Sequence, residues 1–108
     1  MLEFHGWRIV LARRQLFSPA GALVPLRSGE YDLLLALVER PQRVLTRDQL
    51  LDLVRGRSAN VFDRSIDVQI SRLRRKIEAD PKEPAFIKTV RSGGYVFSAV
   101  VTATGAEP

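Results

Sequence analysis

The chain has 108 residues, 45% of them hydrophobic, a formal net charge of +5 and no cysteine. That length suits one domain with a core that needs no staples, and the lack of cysteine excludes disulfides and thiolate metal sites. The basic balance favours a polyanionic partner, nucleic acid ahead of an anionic membrane surface. The lone histidine, His5, has no evident ligand partner, so a loop or strand-edge histidine is the expectation and no metal or other cofactor is implied. No apolar run reaches the length of a membrane span and no signal peptide is visible, so a soluble cytoplasmic protein is the simplest reading.

The N-terminal third is strand-like. Trp7–Leu11, Arg14–Phe17 and Ala22–Leu26 suggest a small antiparallel sheet of about three or four strands, with Ser18–Gly21 as a turn. Ser28-Gly29-Glu30 opens a first helix whose Tyr31, Leu34, Leu35 and Val38 form a core-facing stripe, and Pro41 ends it. Thr46-Arg47-Asp48-Gln49 carries a capping-box pattern for a second helix, with Gly56 as its stop. A loop, 57–62, precedes Asp63, a candidate N-cap for the third helix. After a break at Asp80–Pro84, Phe86–Val90 and Tyr95–Val101 read as strands joined by a hairpin turn, Arg91-Ser92-Gly93-Gly94. Residues 1–101 form the expected domain and Thr102–Pro108 a frayed tail.

The third helix is the most informative segment. Ile66, Ile70, Leu73 and Ile77 fall on one stripe of a 3.6-residue period. Near the opposite side lie Arg64, Ser65, Val68, Ser71, Arg72, Arg75 and Lys76. A basic face behind an apolar stripe suits the major groove of DNA, and it equally describes a solvated surface helix. Position in the chain favours DNA. Three helices followed by a two-stranded wing is the winged helix-turn-helix plan, an α+β fold with an N-terminal antiparallel sheet. Its third helix enters the major groove, and its wing reaches the neighbouring backbone or minor groove.

On that plan Arg72 and Arg75 can fork onto guanine or clamp a phosphate, Gln69 can pair with adenine, and Val68 can meet a thymine methyl. Arg64 and Ser65 sit at the helix start, where phosphates dock. Arg74 lies nearer the core stripe and can snorkel or bind a phosphate, while Asp67 orients a neighbouring arginine. Arg91 at the wing tip suits a narrowed minor groove, Thr89 a phosphate, and Arg47 and Arg55 are further phosphate candidates. An ordinary solvated surface is the alternative for each.

The enzyme case is poor, for there is no nucleophile–base pair and no phosphate-binding glycine loop ahead of a helix. A protein-interaction module is the rival class. Its face should carry more apolar anchors than the one valine, Val68.

The chain resembles the C-terminal effector domain of OmpR/PhoB-type response regulators, two-component transcription factors. The segments that carry the resemblance are Leu26–Leu34, Leu45–Leu50, Arg55–Arg57, Thr89–Phe97 and, most specifically, Arg64-Ser-Ile-Asp-Val-Gln-Ile-Ser-Arg-Leu-Arg-Arg75. The resemblance implies a four-stranded N-terminal sheet, three helices and a hairpin wing. It also implies recognition-helix contacts from Arg64, Ser65, Val68, Gln69, Arg72 and Arg74, wing contacts from Thr89 and Arg91, and backbone contacts from Arg47 and Arg55. The implied partners are promoter double-stranded DNA, bound head to tail on direct-repeat half-sites, and RNA polymerase through loop 57–62. A cognate receiver domain and sensor kinase belong to the full-length protein. This chain has no room for the receiver, and Met1–Phe4 looks like a start just after a linker. Two departures stand out. Arg27 occupies the place of a threonine that opens the first helix, so capping is expected to shift to Ser28. Arg91 replaces an aromatic of the OmpR branch and is closer to the PhoB branch.

Overall fold

The computed structural model describes residues 1–55, 66–91 and 93–104. Its first strands are β1 (Leu2–Phe4) and β2 (Trp7–Val10), then, after a 3-10 turn at Leu11–Arg13, β3 (Gln15–Phe17) and β4 (Leu23–Val24). Each pairs antiparallel with the next. The β1–β2 turn is only His5-Gly6, with φ of 45° and 86°, the left-handed pair whose twist suits a two-residue hairpin. The period-2 pattern puts Ile9 and Leu16, paired across β2 and β3, wholly inside the core. Trp7 stacks on Phe4, and Phe4 meets Phe97 edge-on.

α1 (Ser28–Val38) is buried on every side from Glu30 to Val38, more than the single stripe expected, because it runs through the core. Its cap also differs from expectation. Arg27, not Ser28, is the N-cap residue, and its backbone N–H donates to Glu30 Oε1 at 3.0 Å. Only this half of a capping box can form, since a guanidinium has no acceptor to offer the helix. Arg14 ties the sheet to α1 by donating to the buried Asp32 at 2.8 Å and lying 4.4 Å over the Tyr31 ring.

β5 (Val44–Thr46) leads into α2 (Arg47–Arg55) through the capping box read from the sequence. Gln49 N–H donates to Thr46 Oγ1 at 3.1 Å, and Thr46 N–H donates to Gln49 Oε1 at 2.9 Å. The expected Gly56 stop and Asp63 cap lie outside the described residues. α3 (Ile66–Ile77) follows. The wing is β6 (Ile87–Val90) and β7 (Gly94–Phe97), and the unforeseen β5 joins it, giving a three-stranded sheet in the order β5-β7-β6.

The C-terminal segment corrects two expectations. β8 (Thr102–Ala103) pairs with β1 and makes the N-terminal sheet five-stranded, where a frayed tail and a four-stranded sheet had been expected. The Met1 ammonium donates to the Thr104 carbonyl at 2.9 Å, and Thr104 N–H donates to the Met1 carbonyl at 2.8 Å. Met1–Phe4 is thus part of the folded unit, with Phe4 in its core.

Candidate nucleic-acid interface

α3 presents two unlike sides. Ile66, Ile70, Leu73 and Ile77 are buried against the other two helices, as the apolar period required. Val68 is 43% exposed, Ser71 and Arg75 are exposed, and Arg72 is half-buried. Among the described residues, no hydrogen bond or ion pair holds Arg72, Arg75 or, at the wing tip, Arg91. Their donors remain available to an external acceptor.

Other cations are already engaged. Arg74 donates through Nε and Nη2 to the Ile87 carbonyl at 3.0 and 2.7 Å, and through Nη2 to Thr89 Oγ1 at 2.9 Å. Lys76 Nζ donates to Glu30 at 2.6 Å and to the Pro25 carbonyl at 3.0 Å. Arg74 and Lys76 thus have internal roles, and the bonds of Arg74 use only its Nε and Nη2 donors. These residues fasten α3 to the wing and to the start of α1. Gln69 is buried, and its amide lies close against Gly29, where an added Cβ would stand 3.0 Å from Oε1. In this structure the side chain packs on α1 rather than facing outward beside Val68.

Asp67 acts on an arginine, as its sequence position suggested. Arg47 Nε donates to both of its oxygens, at 2.8 and 3.1 Å, and the Tyr95 hydroxyl donates to Oδ1. The Tyr95 hydrogen bond is the main reason the Asp67 carboxyl lies below its ordinary value; partial burial opposes this, and Arg47 adds to the lowering. Burial, then the Asp67 hydrogen bond, push the Tyr95 hydroxyl up. Arg47 Nη1 also donates to the Gly93 carbonyl at 3.1 Å, so the start of α2 touches the wing turn.

The structure thus brings Arg47, Val68, Arg72, Arg74, Arg75, Thr89 and Arg91 onto α3 and the elements beside it, the start of α2 and the wing. Arg55 closes α2. Arg64, Ser65 and loop 57–62 lie outside the described residues. Among the described residues no cluster of His, Asp and Glu could hold a metal ion, and no helix is long and apolar enough to cross a membrane.

A basic recognition-type helix braced to a β-hairpin wing is the architecture of a DNA-binding winged-helix domain. Residues 21–97 match the family described as "Transcriptional regulatory protein, C terminal", and the chain belongs to it as an OmpR/PhoB-type effector domain of a response regulator, a DNA-binding module of transcription control rather than an enzyme. Among relatives, the Regulatory protein VirG of Agrobacterium tumefaciens (strain 15955) is 54% identical over 98 residues, which are 91% of this chain and 37% of VirG. The chain therefore spans little more than a third of that relative's length. The RstA DNA-binding domain of Klebsiella pneumoniae, solved in complex with RstA box, superposes with a TM-score of 0.76 at 38% identity, covering 89% of this chain and 94% of that one. The C-terminal effector domain of BfmR from Acinetobacter baumannii gives 0.72 at 45% identity over 89% of this chain and 87% of that one.

Proposed function

We infer that this domain reads double-stranded promoter DNA, with α3 in the major groove and the wing at the adjacent backbone or minor groove. The observation that carries this reading is the sorting of the basic side chains. Arg74 and Lys76 are tied inward, while Arg72, Arg75 and Arg91 carry no internal partner among the described residues. In this reading Arg72 and Val68 meet base edges, Arg75 and Thr89 hold phosphates, and Arg91 enters the minor groove. Arg47 keeps donors for a phosphate beyond its internal bonds; Arg55, Arg64 and Ser65 are assigned to the flanking backbone. Two copies bind head to tail on direct repeats about one helical turn apart. In the full-length protein a receiver domain and sensor kinase govern this step, in the cytoplasm, and loop 57–62 meets RNA polymerase. The similarity to RstA, solved on its own DNA box, supports the DNA partner.

The test is Arg72→Ala in a binding titration against a duplex selected by the wild-type domain from a randomised library. A loss of about 1–3 kcal/mol with relaxed preference at one base position is expected. Unchanged affinity, or a wild-type domain that binds random duplex equally well at physiological salt, overturns the reading.

A further inference from the structure

We propose that Asp67 is a positioning residue for sequence discrimination, an acidic group whose contacts set the wing and Arg47 at a fixed spacing from α3. The inference rests on the DNA-docking reading above and deepens it. Asp67 immediately precedes Val68 on α3, and its side chain is about half exposed, at 49%. A carboxylate in that place repels the phosphates of a bound duplex, so simple electrostatics disfavours it.

What the carboxylate holds explains its presence. It joins three elements at one point: α3 through its own backbone, the start of α2 through Arg47, and the wing through the Tyr95 hydroxyl on β7. Two guanidinium groups, those of Arg47 and Arg74, lie over the Tyr95 ring, each 5.6 Å from its centroid. Arg47 goes on to the Gly93 carbonyl in the wing turn, and Arg74 to Ile87 and Thr89 on β6. Both wing strands and the turn are thereby tied to α3 through Asp67 and Arg74. Reading bases from α3 while the wing engages the neighbouring groove needs that spacing set before docking, because a loosely held contact loses its discrimination. Arg47 gains as well. With Nε on Asp67 and Nη1 on Gly93, its plane is fixed while the rest of its five donors stay available for a phosphate.

The two accounts of Asp67 predict opposite signs. If it only repels, Asp67→Asn tightens binding to every duplex by one common factor. If it positions, Asp67→Asn weakens binding to a selected duplex by roughly three- to tenfold while binding to a random-sequence duplex stays equal or tightens. The experiment titrates wild type, Asp67→Asn and Tyr95→Phe against a duplex selected by the wild-type domain and against a random-sequence duplex, with urea unfolding of each variant alongside. The expected result is a reduced ratio of selected to random affinity for Asp67→Asn, and a smaller reduction for Tyr95→Phe, which keeps the ring against both arginines. Equal tightening on both duplexes overturns the proposal and leaves the DNA-docking reading standing, as does equal weakening on both. A wild-type domain that does not discriminate between them overturns the docking reading itself, and the proposal with it.

Discussion

Glu78 Oε2 accepts the Ile87 N–H at 2.9 Å. The same carboxylate takes the Ala85 N–H at 2.7 Å and the Phe86 N–H at 3.1 Å, so one buried acid just beyond α3 satisfies the backbone donors at the root of the wing. Glu78→Gln turns an amide NH2 toward donors that need an acceptor. The expected loss is about 1–3 kcal/mol, since a buried N–H left unpaired carries its full desolvation penalty. Urea unfolding should show a lower midpoint at unchanged slope. An unmoved midpoint would mean that the wing root holds without this acid.

Glu30 gives the fold an acid-sensitive brace. Burial opposes its ionisation, yet the Lys76 hydrogen bond, the Arg27 amide and the charge of Lys76 outweigh it and hold the carboxyl below its ordinary value of 4.5. A folded-state value below the unfolded one contributes stability that is present above 4.5 and is lost as pH falls through the lower folded value. Asp67 is lowered in the same direction, but as an exposed group it contributes less. Glu30→Gln should therefore be less stable than wild type near neutrality and should flatten the acid limb of stability against pH. Identical acid limbs for the two proteins would remove Glu30 from the account.

The parts of this structure that could be read from the chain are those whose cause is local. The Ile66, Ile70, Leu73, Ile77 stripe and the Thr46–Gln49 box depend on residues within a turn or three of each other, and both stand in the structure. β5 and β8 have three and two residues, and each exists only through a partner strand distant in sequence, β7 and β1. Nothing in Val44–Thr46 or Thr102–Ala103 alone signals that pairing. The recognition face divides in the same way. A helical wheel exposes Val68 and Arg75 correctly, but it cannot know that Gly29 leaves room on α1 for the Gln69 amide. Nor can it know that the Ile87 carbonyl waits beside Arg74.

Gly94 should tolerate no side chain. A Cβ there would stand 2.6 Å from the Leu45 carbonyl oxygen and 3.1 Å from its carbon, both backbone atoms of the paired strand β5. Gly94→Ala must push β5 and β7 apart or bend one of them, with an expected loss of about 1–3 kcal/mol. Because β5 ends at Thr46 and runs directly into Arg47, the displacement should also reach the Arg47–Asp67 contact and lower DNA affinity. Thermal melts and a DNA titration check both effects. A stable variant with unchanged DNA binding would show that the strands can separate here without strain.

Arg91 separates backbone electrostatics from base reading. It is exposed on the wing turn, and among the described residues no internal partner holds it, so its removal should leave the fold intact. A side chain that neutralises one phosphate, or enters a groove narrowed between two phosphate rows, releases counterions when it binds. Arg91→Ala should weaken binding to the random duplex as well as to the selected one and should reduce the slope of log affinity against log salt by about 0.9. Arg72→Ala should instead act mainly on the selected duplex, because a forked base contact carries sequence information that a phosphate contact lacks. Affinities measured across a salt series on both duplexes decide between these roles. An unchanged salt slope for Arg91→Ala would place the wing tip away from the DNA and leave α3 as the principal contact.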